Sequence, residues 1–111
     1  MSDNMNIGAK KLSLIDVRRV TFDEEKISAI SEKTSSLANP IRLKIVNLLM
    51  DYDELCVSEM EKALGLEQSK VSYHLASLVE GGVIKRRESG PWSFYSIDGN
   101  SPFVLKLFDF K

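Results

Sequence analysis

Three glycines set the limits on what this chain can fold into. Gly65 stands at the end of the apolar-periodic stretch "CVSEMEKAL", and Gly81-Gly82 closes the next stretch, Gln68 to Glu80. Glycine adopts the left-handed backbone that ends a helix and permits a sharp turn, and a pair of glycines stops a helix outright. Between these breaks, Val71, Leu75, Leu78 and Val79 recur at helical spacing on one predicted face. At about 100° per residue, Tyr73 points nearly opposite. Ser69, Ser77 and Glu80 flank Tyr73, Lys70 and Ser72 take the shoulders, and His74 lies at the boundary. Upstream, Cys56 takes an N-cap-like position with Glu59 three residues on, and Val57, Met60 and Leu64 face inward. Downstream, "VIKRRES" and "WSFYSI" alternate around a Gly90-Pro91 turn, the pattern of a two-stranded hairpin. The middle of the chain therefore predicts two short helices, a glycine turn between them, and a hairpin.

The flanks extend this order. Residues 1–22 read as an N-terminal arm, with a short strand or extended stretch over Leu12–Phe22, and residues 23–111 as one domain. "TFDEEKISAISEKTSSLA" predicts a first helix, with Thr21 and Glu24 as its capping box and Ile27, Ile30, Thr34, Leu37 and Ala38 as its stripe. Asn39-Pro40 closes it, and Pro40 opens a second helix, "PIRLKIVNLLMD", apolar enough to be central. "YDEL" is a link. Ser101 and Pro102 predict the N-cap and first residue of a short, very apolar last helix. The expected fold class is mainly α with a small β-hairpin: about five helices plus a two-stranded wing.

The chemistry follows from where the charges lie. The chain has 111 residues and a net charge of −1, with 43% apolar and 28% charged residues. Residues 68–87, however, hold Lys70, Lys85, Arg86 and Arg87 against Glu80 alone. A local basic patch on an acidic body suits a polyanion. Two helices joined by a glycine turn, the second with a polar outer face, form the helix-turn-helix pattern, whose second helix enters the DNA major groove. Gln68 suits a bidentate contact to adenine; Ser69 and Ser72 suit bases or phosphates; Lys70 suits guanine or phosphate. Tyr73 and His74 complete that helix's candidate contacts. Lys85, Arg86 and Arg87 make the hairpin a basic wing for the DNA backbone or minor groove. No apolar run reaches the ~20 residues of a membrane span and no leader pattern opens the chain, so the expected location is the cytoplasm. No nucleophile–His–carboxylate spacing, phosphate loop or metal-ligand cluster is present, so no enzyme is expected.

Over residues 37–97 the chain resembles the ArsR-type (arsenical-resistance repressor) family of winged helix-turn-helix regulators. "LANPIRLKIVNLL" is similar to the start of that family's core helix. "QSKVSYHLASLVEGGVIKRRESGPWSFYSI" resembles its signature Q-S-x-V-S-x-H-L-x-x-L-x-x-x-G-x-[VI]-x-x-R-R-x-G followed by an aromatic strand. The resemblance implies a dimeric operator-binding repressor with Gln68, Ser69, Ser72, Tyr73 and His74 on its recognition helix. Glu67 departs from the family's usual Ser or Thr. "ELCVSE" (Glu54–Glu59) resembles the family's metal box E-L-C-V-C-[DE], with Ser58 in place of the second cysteine. One thiol beside a hydroxyl is a poor set for soft thiophilic ions, and the family's alternative site takes a histidine from a last helix that here has none. No cofactor and no metal are therefore expected. Two other readings stay open: a winged-helix module for protein–protein contact, and a thiol-based sensor through Cys56. The partners expected are double-stranded DNA and a second copy of the chain. Ile27, Ile30 and Leu37, with Phe103, Leu107 and Phe108, are the expected dimer contacts, because one small core cannot cover both terminal helices.

Overall fold

The computed structural model describes residues 18–99 and 102–109. The expectations for Leu12–Val17, Ser101 and Phe110 lie outside these, as does the side chain of Phe103. Arg18 is helical and Arg19 lies in a turn, so no strand runs through them.

The first described helix, α1, is Glu24–Leu37. Its N-cap is Asp23, not Thr21: the Asp23 carboxylate accepts from the Lys26 amide at 3.0 Å. An ionised acceptor adjoining Glu24 and Glu25 suits the positive helix end better than a hydroxyl two residues earlier. α2 is Pro40–Tyr52, with Pro40 in its first turn. The Asn39 side chain accepts from the amides of Ile41 (2.8 Å) and Arg42 (3.2 Å). Ile45, Val46 and Leu49 bury the inner face of this helix.

The predicted link after α2 contains a strand, β1, Leu55–Cys56. Cys56 is also the N-cap of α3, Val57–Leu64, and its amide donates to Glu59 Oε1 at 2.9 Å. α3 ends at Gly65, left-handed at φ +67°, and α4 runs Gln68–Glu80. The hairpin strands are β2, Ile84–Ser89, and β3, Trp92–Ile97. The wing is therefore three-stranded rather than two-stranded, in the order β1-β3-β2, all antiparallel. Two residues carry too little periodicity to announce a strand; the backbone groups of β3 recruit them.

The last helix is also shorter than expected. Pro102–Lys106 forms a 3₁₀ helix, with Val104 fully buried. Five residues, opened by Pro102 with no amide hydrogen, are too few to meet the nucleation cost of an α-helix. Among the described residues there are thus four α-helices, one 3₁₀ helix and a three-stranded sheet.

The core gathers Leu37, Ile45, Val46, Leu49, Met60, Val71, Leu75, Leu78, Val83, Ile84, Tyr95 and Val104. Each fully buried aliphatic side chain contributes about 1.5–3 kcal/mol before entropy is set against it. Val79, expected inward, is 36% exposed. Three consecutive turns already fill the inner face of α4, and Val79 falls on the rim of a groove between that helix and the sheet.

Gly81 allows α1 to approach the end of α4. The Ser36 hydroxyl donates to Ser77 O at 3.1 Å. A Cβ at Gly81 would stand 2.4 Å from Ser36 Oγ and 2.7 Å from Ser36 Cβ. Ser36 Cβ is rigidly attached to α1, so the helices would have to part. Gly81→Ala should destabilise the protein by about 1–3 kcal/mol, measured by urea unfolding. Adding Ser36→Gly should recover part of that loss, and no recovery would mean the clash is not the cause.

Candidate nucleic-acid interface

α4 offers two unlike faces because its apolar positions repeat every three to four residues. Val71, Leu75 and Leu78 are fully buried, while Gln68, Ser69, Lys70 and Tyr73 are exposed and Ser72 is half-buried. Tyr73 is 63% exposed, a large ring held in water on the outer face. The Glu67 carboxylate does not cap the helix; instead it accepts from the Ser69 hydroxyl at 3.3 Å.

His74 does not share that face. It is 7% exposed, and its Nδ1 accepts from Arg42 Nε at 3.1 Å. Burial, then the nearby Arg42 and Lys70 charges, hold its pKa below the ordinary value. The imidazole is therefore neutral near pH 7, and with Nδ1 accepting, its hydrogen sits on Nε2. The expectation of a base-reading His74 yields to a structural histidine, because helical rotation from Tyr73 carries position 74 to the buried side.

The three wing cations are divided by strand alternation. Arg86 pairs with Tyr95 across the sheet, and Arg87 pairs with Phe94, so their side chains leave opposite faces. Arg86 lines the groove beside α4 together with Gln68, Ser72 and Tyr95. It forms an ion pair with Glu88. Arg87 is turned away from α4. Its Nε and Nη2 each donate to a Glu54 carboxylate oxygen at 2.9 Å, and its guanidinium lies 4.9 Å from the Phe94 ring centroid. The Arg87 hydrogen bonds hold the Glu54 carboxyl below its ordinary pKa, and Glu54 raises that of Arg87. Lys85 alternates onto the Arg87 face and adds to the same field on Glu54. The run that looks like one basic patch in sequence therefore divides: Arg86 accompanies α4, and Arg87 braces the wing.

Two residues that matter were not singled out from sequence. Glu54 was read as part of a link and as the first residue of the metal-like box, not as the partner of a wing cation. Arg42 is one of two cations in the largely apolar "PIRLKIVNLL", the other being the exposed Lys44, and periodicity alone does not single it out. Its Nη1 donates to Ser36 O at 3.3 Å, and its guanidinium carbon lies 5.8 Å from the Tyr73 ring centroid. The Tyr73 and His74 rings meet edge-on at 5.1 Å.

The expected dimer contacts also separate. Ile27, Ile30 and Phe108 are each close to half exposed, and Leu107 is half-buried. Leu37 is 7% exposed and belongs to the monomer's own core, so it is not left over for a partner. At the metal-like box, Cys56 Sγ stands 3.3 Å from Ser58 Oγ. One thiol and one hydroxyl do not fit a soft thiophilic ion. Among the described residues, no three His, Cys, Asp or Glu side chains converge on one point.

The buried neutral His74 has a consequence for stability. Its folded pKa lies below the unfolded value of about 6.5. Below pH 6.5 the unfolded chain binds a proton that the folded chain resists, so stability falls as pH drops through that window. Melting temperature should therefore decline from pH 7.5 to 5.5, and His74→Asn should flatten the decline. Identical slopes in the two proteins would assign the pH effect to carboxylates instead.

The sequence profile of the bacterial regulatory protein family arsR matches residues 39–86, from the N-cap of α2 to Arg86. An uncharacterized HTH-type transcriptional regulator of Methanocaldococcus jannaschii is 34% identical over 77% of this chain and 97% of its own length. Among solved structures, the transcriptional repressor PagR of Bacillus anthracis is 35% identical with a TM-score of 0.68, covering 77% of this chain and 98% of that one. A homodimeric winged helix-turn-helix DNA-binding domain from Mycobacterium bovis, a possible ArsR-family regulator, is 28% identical with a TM-score of 0.69, covering 81% and 82%. With a glycine-bracketed helix-turn-helix, a basic wing on its flank and this set of relatives, the chain belongs to the ArsR family of winged helix-turn-helix transcription regulators.

Proposed function

We propose that the chain is a homodimeric repressor that reads an inverted-repeat operator with α4 and braces it with the wing. Its family makes it a DNA-binding transcription regulator and not an enzyme. No described helix is long and apolar enough to cross a membrane. The finer reading rests chiefly on one observation. Gln68, Ser69, Lys70 and Tyr73 project from α4 while Val71, Leu75 and Leu78 on its opposite face are fully buried. A helix anchored in that way presents its first turns to the major groove, where Gln68 meets adenine edges and Lys70 guanine or phosphate. Arg86, in the groove beside α4, can leave Glu88 for a backbone phosphate, since an exposed surface ion pair is weak. The box around Cys56 carries no thiolate pair, so the repressor we propose does not sense soft metals there.

Dimerisation supplies the symmetry. Ile27 and Ile30 on α1, with Leu105 and Phe108 near the C-terminal end, leave apolar side chains in water. Pairing them across a two-fold axis covers them and repeats α4 on one side of the assembly. The Mycobacterium bovis domain, described as homodimeric, is consistent with this reading. Two copies of α4 should stand about 34 Å apart, one turn of DNA.

Selection of bound duplexes from a random pool tests the function directly and should return an inverted repeat. On the selected duplex, Gln68→Ala should relax base preference at one position per half-site, at about 1–3 kcal/mol. Arg86→Ala should weaken selected and random duplexes alike and flatten the salt slope by about one unit. Equal losses on both duplexes for Gln68→Ala would count against α4 as the reader.

Phe108 is 43% exposed, and burying the rest of the ring contributes about 1 kcal/mol per copy. Phe108→Asp should give monomers in analytical ultracentrifugation and lose most specific binding, because linked half-sites gain by effective concentration. A stable monomer for the unsubstituted chain at micromolar concentration, still tight on its operator, would refute the dimer.

A further inference from the structure

We propose that Arg42 is a positioning residue for DNA reading: its guanidinium ties the first half of α4 to α1 and α2 and fixes the Tyr73 ring that faces the groove. The inference rests on α4 being the recognition helix. Arg42 itself is well anchored. It sits in the first turn of α2, where its amide donates to the Asn39 side chain. From there the guanidinium makes three contacts on two other helices.

The first is with α1. Ser36 lies one residue before the end of that helix, so its carbonyl is among those without an intrahelical partner. Arg42 Nη1 supplies a donor at this negative end. The second is with His74 Nδ1, a buried acceptor on the inner side of α4. The third is with the Tyr73 ring, over which the guanidinium lies at 5.8 Å, while the His74 ring meets Tyr73 from the side. Tyr73 has only two side-chain torsions. With a cation over its ring and an imidazole against it, the ring is held in one pose, and its remaining surface faces out. Positioning of this kind raises specificity, because less of the binding energy is lost to ordering the ring on DNA.

A lysine at position 42 separates this role from that of a plain positive charge. It keeps the charge but lacks the planar fork that bonds His74 and Ser36 at once while lying over Tyr73. If Arg42 acted by contacting phosphate, lysine would largely replace it. If it acts through Tyr73 and His74, lysine will not. The other side of the contact offers a second separation. Asparagine at position 74 carries an oxygen near the place of Nδ1 and can accept from Arg42; leucine cannot.

The test uses the full chain, the duplex that the unsubstituted protein enriches from a random pool, and an unselected duplex of equal length. For Arg42→Lys, affinity for the enriched duplex should fall about tenfold. Affinity for the unselected duplex should stay within about twofold, with an unchanged salt slope, because no charge is lost. The chain has one histidine, so its imidazole resonances report His74 alone, and in Arg42→Lys their titration midpoint should rise. His74→Leu should reproduce the loss on the enriched duplex, and His74→Asn should restore most of it. Should Arg42→Lys fail to fold, the His74 pair decides. A folded Arg42→Lys with an unchanged enriched-to-unselected ratio, or a His74→Asn no better than His74→Leu, would overturn the inference while leaving α4 as the reader. No enrichment by the unsubstituted protein would remove the DNA reading, and this inference with it.

Discussion

Val71, Leu75 and Leu78 lie beneath α4 with no surface in water, and the placement of the other elements follows from them. They rest against the core that α2 and α3 build from Ile45, Val46, Leu49 and Met60. With that face committed, helical geometry leaves Gln68, Lys70 and Tyr73 no direction but outward. Gly81 then lets α1 close over the C-terminal end of α4, and Val83 and Ile84 carry the chain straight from helix to sheet without leaving the core. Removing water from three side chains thus fixes where the polar ones stand, which is the way a small scaffold obtains a rigid reading surface.

Local signals were legible in the sequence. Asn39-Pro40 marks the start of α2, Cys56 with Glu59 marks the start of α3, and Gly65 and Gly81 bound α4 closely. What escaped was set by contacts between distant residues. β1 exists because β3 has backbone groups to satisfy, and the two segments are far apart in sequence. Arg42 and His74 are 32 positions apart, and Glu54 and Arg87 are 33 apart. Periodicity can say that Arg42 lies near a boundary, but not that a histidine waits opposite. Leu37 shows the same limit. Its stripe on α1 was clear, yet only packing decides which end of that stripe the monomer covers itself. Asp23 displacing Thr21 is a smaller case, in which two residues both competent to cap a helix lie within one turn.

Charge is distributed by the same logic. The acidic excess of the chain lies in residues 1–67, and two of its members, Glu54 and Glu67, are engaged by Arg87 and Ser69. Within the wing, alternation assigns Arg86 to the groove and gives Arg87 to Glu54. Each side of the sheet thus carries its own ion pair, Arg86 with Glu88 and Arg87 with Glu54.

Cys56 is a strand residue opposite Phe94 and, in the same place, the cap of α3. No spacer separates the sheet from the helix-turn-helix at this point, so strand and helix share a residue at Cys56. The opposite end of the sheet, the Gly90-Pro91 turn, is exposed and carries no core residue. Chain length is therefore free to vary at one end and not at the other. Extra residues at the turn would lengthen the wing without disturbing the helices, whereas a single residue inserted between Leu55 and Val57 would shift the β1 register and the helix start together. Length variation in such a scaffold is therefore expected at the turn, with the junction at Cys56 left as it stands.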